Sequence, residues 1–139
     1  MKPLVRRKKA TDGTIARFGG KAFAWGSVDC GKVVAFHLKQ FGVKVRLSKA
    51  GQYRSAASAV AALRKLGYET LPEAMDGHGF ARIPYASALV GDIVSFPGDH
   101  EIGALGIVVG NGNMLAFHEL HDGLVIMSMG MIDACWKVA

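Results

Sequence analysis

The spacing of hydrophobic residues changes near residue 91, and this change limits the folds open to the chain more than any other feature. Before that point apolar residues recur at helical spacing, whereas after it they form short runs separated by Gly, Asn, Asp and Pro. Helical spacing is typical of amphipathic helices, and short runs of this kind are typical of antiparallel strands. We therefore predict an α+β fold, with N-terminal helices packed on a C-terminal antiparallel sheet.

Four helices are predicted in the first part of the chain. They cover residues 11–18, 31–41, 53–66 and 71–75. Gly42 and Gly67 follow the second and third of these, where a glycine commonly ends a helix. Cys30 directly precedes the second helix, so its thiol is expected at a helix N-terminus.

Four strands are predicted in the second part of the chain, over residues 92–96, 104–109, 114–118 and 124–127. Asn111-Gly112 lies between the second and third strands, and this pair of residues is typical of a two-residue hairpin turn. The sheet is therefore expected to be a meander.

The length of the chain, 139 residues of which 50% are hydrophobic, predicts a single domain. We assign that domain to residues 11–139, and residues 1–10, with four consecutive basic side chains at positions 6–9, to a flexible basic arm. No apolar run approaches the roughly 20 residues of a membrane span, and no signal segment is recognised at the start. Synthesis in the cytoplasm is the expectation.

Charge is distributed unevenly along the chain. Residues 1–65 carry 15 basic and 2 acidic side chains, whereas residues 66–139 carry 2 basic and 9 acidic ones. This division indicates either a basic face for a partner or two halves that attract each other within the fold. Aromatic residues are not interleaved with the basic ones, so the pattern does not favour nucleic acid binding.

The two cysteines, Cys30 and Cys135, are too few for a disulfide framework and lack the spacing of a structural zinc site. We predict no cofactor and no metal. Backbone N–H groups at a helix start favour a thiolate, so the pKa of Cys30 is expected below the free value of about 8.5. In the alternative interpretation, Asp29 caps the helix and Cys30 fills a small buried space. Cys135 is expected in the core.

Three motifs occur here in the order seen in NlpC-type cysteine peptidases. They are Trp-Gly-x-x-Asp-Cys at residues 25–30, Gly-Asp-Ile-Val-Ser-Phe at residues 91–96, and the apolar strand with its Gly-Asn-Gly turn at residues 105–114. The chain resembles these enzymes, which have a papain-like fold and cut peptide bonds in cell-wall stems. Many of them are carried at phage tail tips.

A second resemblance covers nearly the entire chain. Tyr53-Arg54, the strand start at residues 104–107, and the endings at residues 123–125 and 134–138 are similar to those of a small phage and prophage protein family of unknown function. That family looks like a degenerate branch of the NlpC group. The resemblance implies a tail-tip or tail-assembly component, made in the bacterial host cytoplasm and then built into the virion tail.

The resemblance also implies which residues would act in catalysis. Cys30 matches the nucleophile and Asp29 the aspartate before it, whereas the histidine position falls on Ala104 and the orienting polar position on Ala116. Because two of these positions carry only a methyl group, peptidase activity is not implied. Other tail proteins are the expected partners, with peptidoglycan as a further one, and the alternative function is an active thiol hydrolase.

That alternative needs a substitute base, for which His118 is the candidate. A two-residue turn pairing Val109 with Met114 would turn His118 away from the face of Ala104. A three-residue turn pairing Gly110 with Met114 would place it on that face.

The other histidines are weaker candidates for the base. His37 lies seven residues along the same helix from Cys30, about 10 Å away, which excludes it as the direct base. His100, in the loop before the strand of Ala104, is a weaker candidate than His118. His118 and His121 are spaced one residue too closely for a zinc-protease helix.

Overall fold

The computed structural model describes residues 2–45, 52–98, 100–118 and 121–139. Within them lie four α-helices, a 3-10 turn at Tyr85–Ser87 and six strands, which confirms the predicted α+β fold. The helices are α1 (Pro3–Phe18), α2 (Cys30–Lys39), α3 (Ala56–Lys65) and α4 (Leu71–Gly77). The strands are β1 (Ala81–Arg82), β2 (Ile93–Phe96), β3 (Ala104–Gly110), β4 (Asn113–Ala116), β5 (Val125–Ser128) and β6 (Ala134–Lys137).

The six strands form one antiparallel sheet in the order β1-β6-β2-β3-β4-β5. The last strand, β6, lies between β1 and β2, so the end of the chain occupies an interior position in the sheet. The sequence analysis did not predict β1 or β6. β1 has only two residues, too few to show a period, and β6 is defined by its pairing with β1 and β2.

The two faces of the sheet are covered differently. Leu105, Ile107 and Leu115 pack with α1 and α2 in the main core cluster. Residues of the opposite face form a separate buried cluster with side chains from neighbouring loops; it contains Val94, Val108, Met114, Ala116 and Cys135. Cys135 is therefore a core residue, as predicted.

Helix α1 begins eight residues earlier than predicted and includes most of the segment assigned to a flexible arm. Arg7 in this segment is buried, and its guanidinium donates to the Asp92 carboxylate at 2.7 Å. It also donates to the carbonyl oxygens of Val90 and Ala139 at 3.1 and 2.9 Å. Because Arg7 joins the strand entry to the chain end, residues 3–10 are part of the domain rather than an arm.

The hairpin between β3 and β4 turns through Asn111 and Gly112, which both have positive φ, at 55° and 74°. Such a turn is the two-residue type that the Asn-Gly pair predicts. Gly110 pairs with Asn113, but Val108 pairs with Met114, so Val109 is an extra residue in β3. Both predicted registers were wrong because neither allowed for this bulge.

No helix among the described residues is long and apolar enough to cross a membrane.

Candidate functional site

The site is built around the first turn of α2. Asp29 is the N-cap residue, and its Oδ1 accepts a hydrogen bond from the backbone N–H of Lys32 at 2.8 Å. Its Oδ2 accepts from the N–H of Gly26, also at 2.8 Å. Asp29 thereby caps the helix and closes the turn that leads into it.

Tyr53 completes the surroundings of Asp29. Burial raises the pKa of the Tyr53 hydroxyl, and the Asp29 carboxylate, to which it is hydrogen-bonded, raises it further. Gly26 has a φ of 82°, and a side chain there would collide with the Tyr53 carbonyl. The turn before Cys30 therefore requires a glycine at this position.

The Cys30 thiol is in an environment that favours its protonated form. Burial raises its pKa to about 11, and the Asp29 carboxylate also raises it. Hydrogen bonds from the backbone N–H groups of Leu105, Gly31 and Cys30 lower the pKa of the thiol, but by less than burial raises it. The expected lowered pKa was therefore wrong, because desolvation outweighs the effect of the helix start and favours the protonated thiol.

A cavity of about 390 Å³ opens beside Cys30, and Ala104 lines it too. Ala104 is directly followed by Leu105, whose N–H reaches the thiol, so the position that the resemblance assigns to a histidine lies next to the sulfur. Ala116, at the orienting position, is 1% exposed, packs in the cluster of Val94 and Val108, and lies on the same side of the sheet as Ala104 by strand alternation. Each position holds a methyl group in an apolar setting.

Three histidines line the same cavity: His100, His118 and His121. The rings of His118 and His121 are 5.9 Å apart, and the His100 ring is 5.0 Å from that of Trp25. β4 ends at Ala116, so the pairing with β3 does not extend to His118, but His118 and Ala104 line the same cavity.

His37 lies in a different part of the molecule. Its Nδ1 is 2.8 Å from the Thr14 hydroxyl, and its Nε2 is 2.9 Å from the Gly91 carbonyl oxygen, to which it donates. Burial lowers its pKa to about 4, so the imidazole is neutral near pH 7. It has a structural role between α1, α2 and the entry to β2.

The described residues contain no group of three or more His, Cys, Asp or Glu side chains arranged to hold a metal ion.

Sequence analysis missed the aromatic rim and the α3 wall of the cavity. The Phe23 ring lies 4.8 Å from Trp25 and 5.2 Å from Phe117, and Leu63 and Leu66 of the α3 region form part of the wall. The apolar stripe of α3 was visible in the sequence, but a stripe that lines a cavity has the same spacing as one that fills a core.

Comparison with solved structures supports the fold. RipD from Mycobacterium tuberculosis, described as a non-catalytic NlpC/p60 domain protein adapted to peptidoglycan binding, matches with a TM-score of 0.62 and 10% identity, covering 96% of this chain and 98% of that one. The P60 domain of an antigen from M. avium paratuberculosis matches with a TM-score of 0.54 and 16% identity, covering 95% and 94%.

No curated protein matches the sequence. A family model does, and it covers residues 4–138, almost the whole chain. The chain, which has the fold of these NlpC/p60 domains, therefore belongs to the DUF6950 family, a domain of unknown function.

Proposed function

We propose that this chain is a non-catalytic NlpC/p60-like domain that works by binding, as a structural or assembly component. The observation that supports this most strongly is the state of Cys30. Its pKa is raised to about 11, and Ala104 stands beside it where the resemblance expects a histidine. A protonated thiol is a poor nucleophile, and a methyl group takes no proton, so both requirements of cysteine hydrolysis are weakened together.

The role of Asp29 supports the same proposal. Its two oxygens bond the N–H groups of Lys32 and Gly26, and Tyr53 bonds it as well. A carboxylate engaged in this way holds the helix start and the turn together. The preserved Asp-Cys pair is therefore explained by the local fold, without any catalytic step.

The experiment is a peptidoglycan digestion that compares the wild-type protein with Cys30→Ala. We expect no release of new amino groups above the Cys30→Ala background, with an active NlpC/p60 peptidase as the positive control. Cys30-dependent release would overturn the proposal and favour the thiol hydrolase. A further loss of that release in His118→Ala would then identify His118 as its base.

The setting we propose is the tail of a phage or prophage. This rests on the sequence resemblance to phage proteins and on the 15 basic side chains of residues 1–65, which suit docking against an acidic protein surface. Lys39 and Lys44 are exposed at and after the end of α2 and are the positions to test. Arg46 and Lys49, two further basic residues of this stretch, lie outside the described residues.

In a prophage that encodes this chain, Lys39→Glu with Lys44→Glu should reduce incorporation into particles, whereas Cys30→Ala should assemble and infect normally. Both proteins must first show wild-type thermal unfolding. Normal incorporation of the charge-reversed protein would contradict a basic docking surface.

Peptidoglycan is a second candidate partner, favoured by the likeness to RipD, which is described as adapted to bind it. Sedimentation of the purified protein with insoluble sacculi tests whether peptidoglycan or a tail protein is the partner. Co-sedimentation that Cys30→Ala retains would favour peptidoglycan over a tail protein.

A further inference from the structure

Aromatic rings follow one another along the wall of the cavity beside Cys30. The Phe23 ring lies 4.8 Å from the Trp25 ring and 5.2 Å from the Phe117 ring, at interplanar angles of 88° and 86°. The His100 ring lies 5.0 Å from that of Trp25. All four side chains line the cavity, and Phe23 is 40% exposed. Because Phe23 stands nearly perpendicular to both of its neighbours, these rings form walls in different directions rather than one flat stacking surface.

The local charge of the cavity is negative. With histidines counted as neutral, the charged lining side chains are Asp29, which is buried, and Asp122, which is exposed; no Lys or Arg is among the described residues that line the cavity. Lys32, whose ammonium lies 5.7 Å from the centre of the Tyr53 ring, is not a lining residue. The cavity therefore differs in sign from the chain as a whole, which has a net charge of +6, and its own charges favour a cation.

The interior of the cavity has few side chains that can accept a hydrogen bond. Asp29 already accepts from two backbone N–H groups and is bonded to Tyr53. The other buried lining side chains are apolar; they are Ala59, Ala62, Leu63, Ile102 and Leu105. A primary ammonium has three N–H donors that need acceptors, whereas a quaternary ammonium has none and presents only carbon to its surroundings. The interior therefore suits a quaternary ammonium better than a primary one.

We propose that this cavity binds a quaternary ammonium group of the choline type, with its methyl groups against the aromatic wall and its charge balanced by Asp29 and Asp122. Such cations are attracted to the faces of aromatic rings, which is how aromatic cages hold choline. The volume of about 390 Å³ falls within the roughly 300–1,000 Å³ of small-ligand sites. The inference rests on the proposed non-catalytic role, in that the group is held and not cleaved. A sugar fits less well because its hydroxyl groups would meet the apolar interior unpaired.

The first test compares choline with 3,3-dimethylbutan-1-ol, which has nearly the same shape but a carbon atom in place of the charged nitrogen. Binding is followed by calorimetry and by the fluorescence of Trp25, which lines the cavity. Trp136 is fully buried in the main core cluster and contributes a constant background. We expect saturable binding of choline and an affinity for the neutral alcohol that is lower by about tenfold or more. Equal affinities, or no saturable choline binding by either method, would overturn the proposal.

Further ligands define the chemistry and its source. Ethanolamine should bind more weakly than choline, and equal or tighter binding would overturn the quaternary assignment in favour of a primary amine. Tighter binding of N-acetylglucosamine than of choline would overturn the proposal in favour of a sugar. Displacement of choline by phosphatidylcholine vesicles would support a lipid headgroup as the source of the group, and lack of displacement would support a water-soluble choline compound.

Two variants test the lining at exposed positions, where a substitution is well tolerated. Asp122→Asn removes a charge and Phe23→Leu removes a ring, and each should lower the affinity for choline by about threefold or more. The matched controls are Asp133→Asn and Tyr85→Leu, which remove the same groups at exposed positions outside the lining and should leave the affinity unchanged. Wild-type affinity in both lining variants, or an equal loss in the controls, would overturn the proposal.

The outcome for choline is separate from the outcome for catalysis. Digestion of peptidoglycan is measured without choline, so absence of choline binding leaves the non-catalytic function standing. Cys30-dependent digestion defeats that function whether or not choline binds.

Discussion

The two ends of α2 hold polar groups in opposite circumstances. At its start the Cys30 thiol has an alanine, Ala104, where the resemblance expects a histidine, and burial raises its pKa to about 11. At its eighth residue the His37 imidazole has a polar partner at both nitrogens, Thr14 and Gly91. The comparison teaches that burial disfavours the thiolate at one end of α2, whereas near the other end hydrogen bonds of a buried imidazole join α2 to α1 and to the entry of β2.

The polar cluster near His37 extends beyond the histidine. Gln40 donates to the Thr14 hydroxyl at 2.8 Å and to the Ala10 carbonyl oxygen at 2.9 Å, so α2 is bonded to α1. Nearby, the ion pair of Arg7 and Asp92 connects α1 to the entry of β2. Satisfied buried groups of this kind specify one arrangement of elements, because every alternative leaves some of them unpaired.

The largest effect is expected when the buried ion pair is broken. Arg7→Met leaves the Asp92 carboxylate buried without its guanidinium partner, although the N–H groups of Leu89 and Val138 still bond it. The free energy of unfolding should fall by about 3–5 kcal/mol. Urea unfolding of Arg7→Met and of the wild-type protein at pH 7 measures this difference in the free energy of unfolding. A loss below about 1 kcal/mol would show that those N–H groups alone satisfy the carboxylate.

The second largest effect concerns His37 and pH. Its pKa is lowered to about 4 in the folded protein, whereas an unfolded histidine titrates near 6.5. Because the unfolded state binds the proton first, stability is full above about pH 6.5 and is lost as pH falls towards 4, by about 3 kcal/mol in total. The measurement is the free energy of unfolding between pH 7 and 5, compared with His37→Gln. An equal pH dependence in the two proteins would assign the loss to other groups.

A smaller effect is expected when the missing imidazole is restored. Ala104→His places a base beside Cys30 and should lower the pKa of the thiol, raising its maleimide labelling rate at pH 7.5 by about tenfold. In the wild type both Cys30 and Cys135 should label slowly, since burial raises the pKa of each thiol to about 11. A folded Ala104→His protein with unchanged labelling would mean that residue 104 does not face the sulfur. Ala61→His is the surface control.

The smallest effect is expected at an exposed pair on α1. Lys8 and Asp12 lie 3.0 Å apart with both side chains largely exposed. Lys8→Met should change the free energy of unfolding by less than about 0.5 kcal/mol, and added salt should remove the difference. Because Lys8 is one residue from Arg7, it is also the matched control for Arg7→Met. An equal loss in both variants would indicate that α1 contributes through its charge and not through the buried pair.

Much of the fold could be predicted because its signals are local. The change from helical to strand spacing, the Asn111-Gly112 turn and the placement of Cys30 at a helix start are all properties of short segments. The start of α1 was missed because an arginine in a basic run is predicted to be exposed, whereas Arg7 forms a buried ion pair with Asp92, which is distant in sequence. The register of the β3–β4 hairpin was wrong because a bulge at Val109 has no local signal.

The candidate site, like the fold, has features that the sequence predicts and features that depend on residues distant in sequence. The sequence by itself determined which chemical groups are available: a thiol at residue 30, alanines at residues 104 and 116, and several histidines. Only the tertiary structure decided the state of those groups, since the pKa of Cys30 depends on its desolvation, on the Asp29 carboxylate and on the N–H of Leu105 in β3. The physical reason is that burial and charge act through space: side chains distant in sequence set the environment of each group.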